Sequence, residues 1–254
     1  MRRIVPLLGV AALLLGVGTG PGSAASPAPS SVTVDARPLG VTVRRSVLPA
    51  HTADPEDPLD WGHAAAVRLA LGPQDPNRQE AALTVYPLAG LVAANPGDLG
   101  RQVQNELGRL RTLLKTRPAR PTGELPFLLG PPAGQVLAAR VHYLDFPGGS
   151  GVRYLTMYSS DVSPVTSDRL FYTFQGLTAD GNHAVVLTFP VSTRLLPATY
   201  DAVSAAQRDA ISQGVDSPAY LVRTARRLET ATAADFSPTL DRLDAVTRSL
   251  RLRP

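Results

Sequence analysis

The sequence predicts an α+β domain: an antiparallel β-sheet flanked by α-helices, resembling an α/β/α sandwich. Three observations carry this. Residues 135–190 hold four strand-like runs joined by tight-turn residues. One long amphipathic helix precedes them. Helical patterns then fill the C-terminal part, and strands followed by helices place helices on an antiparallel sheet.

The four runs are 135–146, 151–160, 169–177 and 183–190. Pro147-Gly148-Gly149-Ser150 joins the first pair and Thr178-Ala179-Asp180-Gly181-Asn182 the last. In both, glycine supplies a positive φ at no steric cost. Four of the seven Tyr and four of the six Phe lie in these runs. Apolar residues fall on both parities, as at Phe171 and Tyr172 or Val185 and Val186, so both sheet faces should be covered. Upstream, Val32, Val34, Val41 and Val43 mark a first extended stretch, and 62–71 and 81–88 two more strands.

Asn95-Pro96-Gly97-Asp98 reads as a turn and cap. Leu99, Val103, Leu107, Leu110 and Leu114 then recur at three- and four-residue steps, giving one apolar helical stripe. Pro118 and Pro121 end it, and Leu125–Pro132 is a Pro-rich apolar connector. Helices are predicted at 198–213 and at 218–231. A further one begins at Ser237-Pro238, with Leu240, Leu243, Val246 and Leu250 in its stripe.

Met1 to about Ala25 has the pattern of a cleaved secretory signal. Arg2 and Arg3 precede an apolar run of about 14 residues containing Pro6, against roughly 20 for a membrane span. Ser23-Ala24-Ala25 offers small residues for cleavage. Residues 26–31 form a flexible leader, and 32–254 one domain. No later stretch reaches transmembrane length. The expected location is periplasmic or extracellular.

The chain has no Cys, which removes disulfides, thiol catalysis, a lipid-modified Cys and thiolate metal sites. Its net charge of +4 drops to about +2 once Arg2 and Arg3 are removed, and Lys115 is the only Lys. Such weak steering argues against nucleic acid as a partner.

Chemistry-bearing motifs are sparse. His51 stands near Asp54, Glu56, Asp57 and Asp60, but this run lacks the Gly-punctuated alternation of a calcium loop. Neither metal nor cofactor is expected. Gly148-Gly149-Ser150-Gly151 falls where a hairpin turn is required and is not a Gly-x-Ser-x-Gly elbow. Thr112 stands three residues before Lys115, so Ser-x-x-Lys is absent, as are phosphate-binding Gly loops. If the 147–150 turn sets residue 144 opposite 154, Arg140 faces Tyr158 and His142 faces Thr156. Arg140, His142, Tyr154 and Tyr158 then share one face, with Tyr172 and Gln175 on a later strand. This mix defines a candidate ligand pocket. Tyrosines capping a core with wet hydroxyls would produce the same pattern.

Several phrases resemble a family of uncharacterised exported bacterial proteins, over 84–117, 125–191 and 217–250. They are Thr84-Val85-Tyr86-Pro87-Leu88 with Asn95-Pro96-Gly97, then Leu125-Pro126-Phe127-Leu128 and Tyr143-Leu144-Asp145-Phe146. Gly151-Val152-Arg153-Tyr154-Leu155-Thr156, Leu170–Thr178 and Phe189-Pro190-Val191 before Leu196-Pro197 continue the match. The resemblance implies an exported domain of shared fold and brings no activity, cofactor or catalytic residue. The element order is also similar to PsbP-like domains, a likeness of fold alone. The leading expectation is a non-enzymatic envelope domain binding a protein, a glycan or a small ligand. One alternative is a hydrolase pairing His142 with Asp145 or Asp161. Another is a scaffold with an exposed apolar patch.

Overall fold

The structure is a computed structural model that describes residues 29, 31–54, 56–57, 60–214 and 217–253; the stretch 1–25 expected to be a signal, and most of the expected leader, lie outside the described residues. Seven strands form one antiparallel sheet: β2 (Val43–Leu48), β3 (Ala66–Leu71), β4 (Ala82–Pro87), β5 (Gly134–Phe146), β6 (Gly149–Ser159), β7 (Phe171–Thr178) and β8 (His183–Pro190). Their order across the sheet is β2-β3-β4-β8-β7-β6-β5. Two short ladders complete the set. β1 (Ser31–Thr33) pairs with β11 (Arg251–Arg253), and β9 (Ser192–Thr193) with β10 (Phe236–Ser237).

The order explains where the helices go. β4 lies beside β8 in mid-sheet, whereas β5 is the far edge. The link between them carries α1 (Leu88–Ala93), α2 (Gly97–Thr116) and the connector 117–133 across one face. After β8 the chain returns over the opposite face with α3 (Ala205–Ser212), α4 (Ser217–Glu229) and α5 (Leu240–Arg248). The helix-on-both-faces α+β prediction is therefore the fold observed. No helix among the described residues is long and apolar enough to cross a membrane.

Two cores follow from this layering. On the first face, Leu88 and Leu91 of α1 and Val103, Leu107 and Leu110 of α2 pack with Val152, Tyr154 and Ala184. Full burial of each large aliphatic chain contributes about 1.5–3 kcal/mol. On the second face, Leu228 of α4 and Leu240 and Leu243 of α5 join Leu155, Met157, Tyr172, Phe174, Val185 and Leu187. The central strands are buried on both sides, which is why their apolar residues ignore alternation.

Local details depart from the sequence reading. The β5–β6 turn is two residues long, Pro147-Gly148, and Leu144 pairs with Gly151 instead of residue 154. A bulge at Arg140–Val141, with Arg140 at φ 57°, shifts the register again. His142 therefore opposes Arg153, and Thr156 opposes Ala138. The predicted 198–213 helix is a short 3-10 turn at Tyr200–Ala202 followed by α3, whose N-cap is Ser204. The last helix starts after Thr239 rather than at Ser237-Pro238, because Ser237 is held in β10. β1 opens at Ser31, the last residue assigned to the leader.

Candidate functional site

The connector 117–133 has no regular structure, so its backbone groups need partners from elsewhere. The first sheet face and α2 supply them. The Tyr154 hydroxyl donates to the Pro126 carbonyl (2.8 Å), and Leu128 N–H donates to Gln175 Oε1 (3.1 Å). Leu125 N–H donates to Gln135 Oε1 (2.9 Å) and Phe127 N–H to Glu106 Oε2 (3.2 Å). Arg109 donates to the Glu124 carbonyl.

Held this way, the connector forms one wall of a cleft of about 100 Å³. The opposite wall is the flank of α2, where Gln102, Glu106 and Arg109 recur at helical spacing beside the buried stripe. Tyr158 closes the inner end. Its ring lies 5.2 Å from Phe127 and 6.3 Å from Phe171, and Gln135 Nε2 donates to its hydroxyl (3.0 Å). Burial pushes the Tyr158 hydroxyl up to about 12.

Trp61 forms the mouth and is positioned in two steps. Its indole N–H donates to the Gly130 carbonyl (2.8 Å). Its neighbour Gly62 is gripped by Asn95, whose Oδ1 accepts from Gly62 N–H (2.9 Å) and whose Nδ2 donates to the Gly62 carbonyl (2.7 Å). Residue 62 must be glycine, because a Cβ there would sit 2.0 Å from the Ala94 carbonyl oxygen at the end of α1. Asn95 thus acts in this grip rather than as the cap of α2, whose N-cap is Pro96.

The cleft opens into a groove of about 510 Å³ along α2, and the two share Arg109, Glu124 and Leu125. Aromatic rings, an amide, carboxylates and a guanidinium converge here. No Ser, Thr, Cys, His or Lys is among the residues lining the cleft. The arrangement suits holding a small polar molecule with an apolar face.

Of the six residues predicted to line one pocket, only Tyr158 reaches the cleft. Tyr154 and Gln175 lie just behind it, fully buried and committed to the connector. Gln175 also donates to Thr173 Oγ1 (2.8 Å). Tyr172 points to the opposite face, where its hydroxyl meets Asp244 and Thr247 (3.1 Å each). There Arg153 forms an almost fully buried ion pair with Asp244 (3.0 Å). Arg140 sits in the β5 bulge and caps α4 through the Glu229 carbonyl (3.1 Å). His142 is exposed.

The two carboxylates considered as partners for His142 are engaged elsewhere. Asp145 pairs with Arg117 (2.6 Å) and Asp161 accepts from Ser159 (2.6 Å). In the acidic loop, Asp60 accepts from Asp54 N–H (2.8 Å) and contacts His51 Nε2 (2.6 Å), and these contacts hold its carboxyl below the usual range. Among the described residues no group of three His, Cys, Asp or Glu gathers around a metal-sized site.

Trp61, Gln102, Glu106, Arg109 and Phe127 were not read as site residues from the sequence. The available signals were the lone Trp, the polar flank at i, i+4 and i+7 of α2, and an apolar Pro-broken connector that had to be buried somewhere. No family model matches the chain, and neither a curated protein nor a solved structure matches it. These comparisons support neither the resemblance to exported bacterial proteins nor the likeness to PsbP-like domains.

Proposed function

We propose that the chain is an exported, non-enzymatic binding domain of the cell envelope. Its ligand is a glycan, one ring seated between Trp61, Phe127 and Tyr158 and the remainder following the groove along α2. The observation that supports this most is the convergence of three aromatic side chains with Gln102, Glu106 and Arg109 in one cleft. The apolar face of a sugar ring suits the aromatic walls, and its hydroxyls suit an amide, a carboxylate and a guanidinium. The signal-like pattern of Met1 to about Ala25 supports export.

Trp61 is the only Trp in the chain and stands in the cleft, so its fluorescence reports occupancy directly. Titration with neutral and amino monosaccharides and their short oligomers is expected to give a saturable change with at least one of them. Gln102→Leu and Tyr158→Ala should weaken it about tenfold or more, as expected for losing a central contact worth at least ~1.4 kcal/mol. Absence of any saturable change, together with turnover on a panel of ester and glycoside substrates, would reverse the reading.

A further inference from the structure

A second surface, sharing no residue with the cleft, is the open edge of the sheet. β2 is one of its two edge strands. Its first five residues are exposed, including Val43 at 40% and Val47 at 53%. Two of the five exposed large hydrophobics among the described residues therefore lie on one edge strand. The other edge, β5, is packed by α4 and α5. β2 runs opposite β3 for six residues without a bulge, and it contains no Pro. Edges of this kind are normally shortened, bent or covered.

The direction of its backbone groups can be derived. Gly72 N–H donates to the Thr42 carbonyl, so residues 42 and 72 are a hydrogen-bonded pair in the ladder that continues as Val43 opposite Leu71. By alternation, Arg44, Ser46 and Leu48 bond to β3. The N–H and C=O of Val43, Arg45 and Val47 face outward.

Arg44 and Arg45 select the occupant. Among the described residues neither side chain has an ionic or hydrogen-bonded partner, whereas Arg37, Arg68 and Arg117 each pair with a carboxylate. A second copy is disfavoured by register. Only odd-numbered residues carry outward groups, so two copies align odd on odd. Centring on Arg45 sets Arg45 against Arg45, and centring on Ser46 leaves the two Arg45 as diagonal neighbours. A strand with two consecutive acidic residues turns both arginines into attractions, one on each face, while its β-branched flanks meet Val43 and Val47.

We propose that β2 docks an extended acidic segment of a partner protein, added as an eighth strand. The probe is a fluorophore-labelled octapeptide, Thr-Val-Thr-Glu-Glu-Thr-Val-Thr, compared by anisotropy with its Lys-Lys counterpart on the full chain. The Glu peptide is expected to bind at least tenfold tighter, with the preference shrinking as salt rises. Arg44→Glu with Arg45→Glu, both on exposed side chains, should invert it. Val47→Pro removes an outward N–H, which an edge tolerates, and should weaken the Glu peptide at least tenfold while thermal melting stays cooperative. Equal or absent binding of the two peptides, or binding unaffected by both variants, overturns the proposal. Dimerisation of the chain that Val47→Pro abolishes in sedimentation also overturns it, in favour of a second copy.

Discussion

On the face covered by α1 and α2, the buried polar side chains are neutral and reach toward backbone. Tyr154 and Gln175 together satisfy a Pro-rich segment that has no ladder of its own. On the face covered by α4 and α5, Arg153 and Asp244 form an ion pair with Tyr172 hydrogen-bonded to it, joining two strands to one helix. The first device shapes a loop beside a cleft; the second fixes where a helix sits. The two differ in consequence when broken. An unpaired neutral group costs its own desolvation, but an unpaired charge costs far more.

Asp244→Ala should therefore have the largest effect. It leaves the Arg153 guanidinium buried without its carboxylate, with Thr247 the remaining partner of the Tyr172 hydroxyl, and denaturant unfolding should show a loss of about 3–5 kcal/mol. Replacing both partners, Arg153→Met with Asp244→Leu, should recover most of that loss, because no charge is left uncompensated. If the single and double variants are equally damaged, the ion pair is not what distinguishes this face.

Gln175→Leu tests the other face. Leu128 N–H loses its acceptor, and the expected loss is about 1–3 kcal/mol. The sharper readout is location. Trp61 fluorescence and proteolysis within 117–133 should change in Gln175→Leu and stay as in the parent chain in Tyr172→Phe. Equal changes in both would mean that the two faces are not separable.

The smallest effect is shared by both faces. Burial pushes the Tyr158 hydroxyl up to about 12 and holds those of Tyr154 and Tyr172 well above the ordinary value of 10.0. The folded chain keeps these protons where the unfolded chain loses them. Their contribution is thus complete below pH 10 and is lost as pH rises past it. Ultraviolet titration should show Tyr154 and Tyr172 ionising only with unfolding, while the stability measured by denaturant declines from about pH 10 upward.

Strand positions were legible because glycine-bearing turns bracket the runs, and the two-faced burial of β6 to β8 was legible in their mixed parity. The register was not. A two-residue turn in place of a longer one, and a bulge at Arg140, move His142 opposite Arg153, and neither leaves a compositional trace. The candidate pocket failed to assemble for the same reason, and because Tyr172 and Gln175, an odd number of residues apart on one strand, face opposite layers. Trp61 and Phe127 come to Tyr158 through Asn95, Gly62 and Gln135, contacts between segments far apart in the chain. No local pattern encodes them.

The β1–β11 ladder sets how the domain responds to tension. Ser31 lies opposite Arg253 and Thr33 opposite Arg251, so the outermost pair joins the two points where force applied through the ends would enter. Pulling there peels three pairs one after another instead of shearing them together. A tether at either end would strip this small clasp before load reached the seven-stranded sheet.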